Sequence, residues 1–192
     1  MRKMFLFMMV SVDGYFEAPG HDISWHNADA EFSDFVHEQC ALIGTIVMGH
    51  RTFELMESFW PSSQGQQEDP ETARFMTETP KVVATYTPFT TKWGATTVIS
   101  EDVAGEIGKL KAQEGKDIAI FGSNNLCVSL MDEGLVDEFR IMVNPIALGE
   151  GTALFKGISK SVILKRTTTR EFKNGNILNT YVPAGTSLSA AT

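Results

Sequence analysis

The chain has 192 residues, 43% of them hydrophobic and 21% charged, with a formal net charge of −8. That length suits one domain, the apolar content is enough for a core and excludes disorder as the default, and the acidic balance sets the chain apart from nucleic-acid binders, which carry a basic excess. The two cysteines, Cys40 and Cys127, form no C-x-x-C pair and fall on apolar helix faces, so they read as small buried hydrophobes in a reducing compartment.

In chain order, Arg2-Lys3 followed by the apolar run 4–10 has the outline of a short signal peptide. The run is only about seven residues and no small-residue cleavage site follows it, so it reads as a strand buried on both faces, ending at Ser11-Val12-Asp13-Gly14. No run approaches the roughly 18 apolar residues of a membrane span, and a cytoplasmic protein without a membrane partner is expected. Phe32, Phe35, Val36 and Cys40 recur at helical spacing after the polar start at Asn27. A second strand at 42–48 leads into a helix over 50–56; the polar stretch 62–71 predicts a surface loop. Strands follow at 81–86 and 97–99, and Ser100 is the expected N-cap of a helix whose one face carries Val103, Ile107 and Leu110. A fifth strand at 117–121 runs into a helix through Met131.

The pattern then changes. Phe139, Ile141 and Val143 alternate with polar residues, and strand-like runs at 162–172 and 177–182 are joined by Lys173-Asn174-Gly175-Asn176, a hairpin signal. The order predicts an α/β fold with a mixed, mostly parallel sheet, helices on both faces and an antiparallel C-terminal hairpin. A single domain is expected over 1–183, with 184–192 as a flexible tail.

Two segments carry the chemistry. Phe121-Gly122-Ser123-Asn124-Asn125-Leu126 and Met48-Gly49-His50-Arg51-Thr52-Phe53 each take the chain from an apolar strand through glycine into a helix. Free N–H groups and the positive end of a helix dipole suit a phosphate, Arg adds a bidentate fork, and two such turns suit a dinucleotide. The competing reading of the second turn is a solvated helix start with Glu54 and Glu57 as ion-pair partners. Asp13, in an Asp-Gly turn at a strand end, either bonds its own backbone or orients a substrate. Trp25 can stack on a flat ring or cap the core, and His26 can act as an acid or simply start a helix. The four histidines have no metal-ligand spacing and no serine sits in a G-x-S-x-G elbow, so neither a zinc site nor a hydrolase nucleophile is expected.

Ser11-Val12-Asp13-Gly14-Tyr15-Phe16, Asp22-Ile23-Ser24-Trp25, Val47 through Glu54, and Phe121-Gly122-Ser123 occur in the order found in dihydrofolate-reductase-like proteins. Leu135 through Arg140 and Asn144-Pro145-Ile146-Ala147-Leu148-Gly149-Glu150-Gly151 narrow the likeness. They resemble the C-terminal reductase domain of the bifunctional riboflavin-biosynthesis protein and its stand-alone relatives. The resemblance implies a three-layer α/β/α fold, NADPH as cofactor and hydride transfer to a flat heterocycle such as a pyrimidine, pteridine or flavin-like ring. It implies that Gly49, His50, Arg51 and Thr52 hold the 2′-phosphate and pyrophosphate, and that Thr85 and Tyr86 border the adenosine. It further implies that Gly122, Ser123, Asn124 and Asn125 hold the pyrophosphate, with the backbone at Met9 and Phe16 flanking the nicotinamide. Trp25 and Phe53 are expected against the substrate; Asp13, Glu17 or an ordered water is expected to supply the proton. Ser123 stands where the folate-reducing branch often has a second glycine, and none of Asp29, Glu31 and Asp34 aligns with that branch's pterin-binding carboxylate. The resemblance also implies a homodimer, paired through the antiparallel C-terminal region, where Phe139 to Val143 is apolar on alternate residues. The alternatives are a nucleotide- or flavin-binding module without turnover, and dihydrofolate reductase proper.

Overall fold

A computed structural model describes residues 1–87 and 89–186. Strands β1 (Met4–Val10) and β2 (Tyr15–Glu17) precede α1 (Ala30–Cys40), β3 (Ile43–Gly49) and three helices, α2 (His50–Phe59), α3 (Ser63–Glu68) and α4 (Pro70–Glu78). Then come β4 (Lys81–Ala84), β5 (Thr96–Ile99), α5 (Val103–Ala112), β6 (Asp117–Ile120) and α6 (Asn124–Asp132). Strands β7 (Glu138–Val143), β8 (Thr152–Ala153), β9 (Val162–Glu171) and β10 (Ile177–Thr186) complete the described chain.

The main sheet has the order β5-β4-β3-β6-β1-β7-β10-β9, and β2 and β8 form a separate antiparallel pair. Neighbours from β5 to β7 are parallel, and β10 runs antiparallel to both β7 and β9. Alternation along β1 separates two helical layers. Met4, Leu6 and Val10 pack with Ile107 of α5 and Leu126 and Leu130 of α6. Phe5 packs in the cluster of Phe53 of α2 and Met76 of α4, while Met9 packs with Phe35 of α1. This is a three-layer α/β/α sandwich with an antiparallel C-terminal end.

Several expectations need correction. The segment 62–71 is not a loop but holds α3 and the start of α4. Ser62 caps α3 by accepting the Gly65 N–H, and Asp69 caps α4 by accepting the Thr72 N–H just before Pro70. Helix α5 is capped by Asp102 rather than Ser100: Asp102 sits at φ 43, and its carboxylate accepts the Gly105 N–H. The expected tail begins later, because β10 runs through Thr186; residues 187–192 lie outside the described chain. Strand β7 lies inside the sheet between β1 and β10, and its apolar residues Phe139 and Ile141 are buried in the chain's own core. Both cysteine thiols are pushed up to about 12 by burial, Cys127 fully buried and Cys40 partly so, as expected of small hydrophobes.

Candidate active site

Strands β3 and β6 are neighbours, parallel and in register, with Val47 opposite Ile120. Their C-terminal glycines are therefore adjacent: the Gly49 N–H donates to the Gly122 carbonyl at 3.0 Å. Helices α2 and α6 start directly beyond them. Neither N-cap, Gly49 or Ser123, supplies a side-chain oxygen to its helix, so the first-turn N–H groups of both point outward without a cap. A Cβ on Gly49 would lie 2.7 Å from Ser123 Oγ, and Gly122 at φ +97 adopts a conformation that L side chains rarely take, with Thr52 Oγ1 3.3 Å from where its Cβ would be. Two positive helix ends thus lie side by side at the C-terminal edge of the sheet, and the missing Cβ of Gly49 lets the two turns approach closely.

The side chains around it divide. Arg51 is exposed and makes no ion pair among the described residues. The His50 ring stacks on Phe89, with centroids 4.2 Å apart, and its Nε2 lies 3.7 Å from Glu54. At the end of β4 the Thr85 hydroxyl closes a turn on Thr87, accepting its N–H and donating to its carbonyl, which leaves Tyr86 95% exposed. Phe89 is a wall of this end that the sequence does not mark.

Three of the expected cofactor residues have their side chains committed elsewhere. The Asn124 side chain is 7% exposed; its Nδ2 donates to the Leu154 carbonyl at 2.6 Å and to those of Ala153 and Lys156 at 3.3 Å. Leu126 is a core residue, and Phe121 packs against the α2 layer. Asn125 is exposed at the helix start. Met9, paired with Met142 of β7, and Phe16 of β2 border the C-terminal end of β1.

The expected substrate and proton-donor residues fare less well. Phe53 is fully buried between Phe89 and Trp93 and cannot meet a ligand: an apolar residue on the inner stripe of α2 belongs to the core. Asp13 is a latch, its two oxygens accepting the N–H groups of Leu148 and Gly149 at 3.1 and 2.7 Å. Hydrogen bonds from Ser11 and from those two amides hold its carboxyl down at about 2, so at neutral pH it carries no proton to give. Glu17 accepts from Thr152 Oγ1 at 2.7 Å and pairs with His21 at 2.8 Å, tying β2 to β8. Trp25 is partly buried, donates from Nε1 to the Asp22 carbonyl and meets the His26 ring edge-on at 4.6 Å. Burial lowers the His26 pKa, and its Nε2 is buried without a hydrogen-bond partner.

A group the sequence reading overlooked locks this end. Asn144, fully buried, donates to the carbonyls of Val10 and Met142 and accepts the Asn27 N–H at 2.9 Å. Asn27 in turn bonds Asn174 and Asn176 of the β9–β10 turn. An asparagine before proline at the end of an alternating strand was the available signal. Among the described residues no group of three metal-ligating side chains occurs, and no helix is long and apolar enough to cross a membrane.

The comparisons with known proteins agree with this architecture. Against solved structures, the chain is similar to a pyrimidine reductase-like protein of Corynebacterium diphtheriae, with a TM-score of 0.69 at 14% identity over 96% of this chain and 92% of that one. It is similar to dihydrofolate reductase of Enterococcus faecalis complexed with NADP(H), with a TM-score of 0.65 at 17% identity over 95% and 97% of the two chains. At those identities the likeness shows the fold. The uncharacterized protein YyaP of Bacillus subtilis is 30% identical over 182 residues, 94% of each chain. The family model of the RibD C-terminal domain matches residues 2–178, and the chain belongs to that family.

Proposed function

We propose that this protein is an NADPH-dependent reductase that transfers hydride to a flat heterocycle. The observation that carries the reading is the adjacency of two uncapped helix N-termini at Gly49 and Ser123, whose turns are joined by the Gly49 N–H to Gly122 carbonyl bond and packed too closely for a side chain on Gly49. The first-turn N–H groups of α2 and α6 would hold the pyrophosphate, the free Arg51 the 2′-phosphate, and the exposed Tyr86 ring the adenine. When bound, the nicotinamide supplies the hydride. The chain's own part is to seat that ring against the backbone at Met9 and Phe16 and the heterocycle toward Trp25. Membership of a family whose name is that of a riboflavin-pathway domain supports the reductase class.

The test is a fluorescence titration with NADPH and, in parallel, NADH. NADPH is expected to bind more tightly, and Arg51→Ala to weaken NADPH far more than NADH, by about 1.5–3 kcal/mol for one charged hydrogen bond. Equal losses for both would take Arg51 out of the 2′-phosphate site, and failure of both cofactors to bind would refute the reading. A nucleotide-binding module without turnover is the second reading, favoured by the engagement of Asp13 and Glu17 in structural bonds. Tight NADPH binding with no oxidation by any dihydropterin, pyrimidine or quinone would select it. The working form is proposed to be a homodimer, paired through the ten-residue outer strand β9. A monomeric mass at micromolar concentration would refute that.

A further inference from the structure

Asn124 presents two groups with different partners. It opens α6, and the first bond within that helix runs from the Cys127 N–H to the Ser123 carbonyl, so the N–H groups of Asn124, Asn125 and Leu126 have no acceptor in the helix. The side chain is 7% exposed and spent elsewhere: its Nδ2 lies 2.6 Å from the Leu154 carbonyl and 3.3 Å from those of Ala153 and Lys156. Two amide protons thus serve three carbonyls. Asparagine near a helix start is favoured for accepting the helix's own N–H groups, and here the amide donates to a distant turn instead.

That turn belongs to the β2–β8 pair. It is closed by the Lys156 N–H donating to the Ala153 carbonyl, and the Leu154 N–H donates to the Gly14 carbonyl at 3.1 Å. Ala153 is paired with Tyr15 and Thr152 with Glu17, and Thr152 Oγ1 donates to Glu17 at 2.7 Å. Phe16, between those two partners, packs against the cluster that contains Leu126 of α6 and Leu154 of the turn. Strands of three and two residues are too short to hold a position by their own pairing, so what they are tied to decides where they stand. Among the described residues, Asn124 is the one residue of α6 that hydrogen-bonds this turn.

Resting on the NADPH reading, we propose that Asn124 is a positioning residue for the cofactor. Its backbone belongs to the turn proposed to hold the pyrophosphate, and its side chain fixes the β2–β8 pair, which carries Phe16 at the proposed nicotinamide seat. The two halves of the cofactor are joined through the pyrophosphate, so the second half gains affinity from the first only where both seats keep the matching separation. One side chain thus sets the spacing between the phosphate end and the hydride end of the site. Cutting that link should release the nicotinamide half and spare the adenosine half.

The experiment uses the full chain and calorimetric titration with NADPH and with adenosine 2′,5′-bisphosphate, which has the adenosine and the 2′-phosphate but no nicotinamide. Asn124→Leu removes the donor at similar volume, and Asn124→Ser is the milder variant should the first fail to fold. Either is expected to bind adenosine 2′,5′-bisphosphate within about twofold of the unmodified chain and NADPH at least about tenfold more weakly. In the unmodified chain, saturating NADPH should slow amide exchange in β2 and at Leu154. Equal losses for the two ligands, unchanged NADPH affinity in a folded variant, or β2 and Leu154 amides that exchange no more slowly with NADPH bound, overturn the inference while the reductase reading stands. Failure of the unmodified chain to bind NADPH overturns both.

Discussion

Replacing Gly49 by alanine isolates the contact on which the phosphate cradle depends. Gly49 sits at φ −74 and ψ 158, which alanine adopts freely, so the substitution carries no backbone penalty. Its whole effect comes from the new methyl, 2.7 Å from Ser123 Oγ, 3.4 Å from the Ser123 nitrogen and 3.5 Å from Ser123 Cβ. The hydroxyl must rotate or the two turns must separate by several tenths of an ångström. Rotation is cheap, and the stability cost is expected to stay under about 1 kcal/mol. A pyrophosphate held by both turns would be less tolerant, because the methyl would push the two turns apart. Losing one charge-assisted hydrogen bond costs about 1.5–3 kcal/mol, or roughly a tenfold to hundredfold rise in the NADPH dissociation constant. Fluorescence titration reads that rise and thermal denaturation reads stability separately. Adding Ser123→Ala removes the clashing oxygen and should restore most of the lost affinity. Wild-type affinity in Gly49→Ala, or no recovery in the double variant, would refute the bridging geometry.

Two further predictions concern the scaffold. Lys81 is 1% exposed, and its ammonium donates to the carbonyls of Met76, Thr79 and Thr77 at 2.8, 2.8 and 3.1 Å while lying 4.6 Å from the Trp93 ring. Lys81→Met should destabilise the protein by about 2–4 kcal/mol, because the end of α4 loses its donor, and urea denaturation would show it. His37 shares its Nε2 with both oxygens of Asp69 at 2.9 Å, and this hydrogen bond raises its pKa above the ordinary 6.5. The folded state thus holds the proton more tightly than the unfolded one. The stabilisation is complete below about pH 6.5 and fades as the pH rises through the folded-state value. His37→Gln should therefore cost up to about 1 kcal/mol in mild acid and less above neutrality; a gap that grows with pH would contradict the assignment.

Much of the fold was legible because the parallel strands are buried on both faces and write themselves as continuous apolar runs. Gly49 and Gly122 were legible as turn glycines for the same reason: each ends such a run and opens a helix. What the sequence concealed was side-chain direction and capping. Helix α4 hides its apolar stripe, Ala73 and Met76, behind a polar stretch whose start is fixed by Asp69 and Pro70. Asn124 sits in the segment proposed to hold the pyrophosphate yet points its amide into the 153–156 carbonyls, a long-range contact that no local spacing encodes. Phe53, three residues after the cradle's first helical residue, lies on the inner stripe of α2.

The cofactor end and the substrate end of the proposed site differ in how the sequence encodes them. Phosphate recognition at a helix start uses backbone groups, whose positions follow from where a strand stops and a helix begins, and the register of β3 and β6 then places two such starts side by side. In the proposed reading, recognition of the heterocycle draws on the segments 11–29, 144–151 and 172–176, which are far apart in sequence. They are brought together by an asparagine junction in which Asn144, Asn27 and Asn176 bond one another's segments. Truncating the Asn144 side chain would leave the Asn27 N–H without its acceptor, while the Val10 carbonyl would keep the backbone N–H of residue 144 at 2.7 Å. In the proposed reading, substrate choice thus depends on the integrity of that junction, whereas the cofactor site rests on the register of β3 and β6.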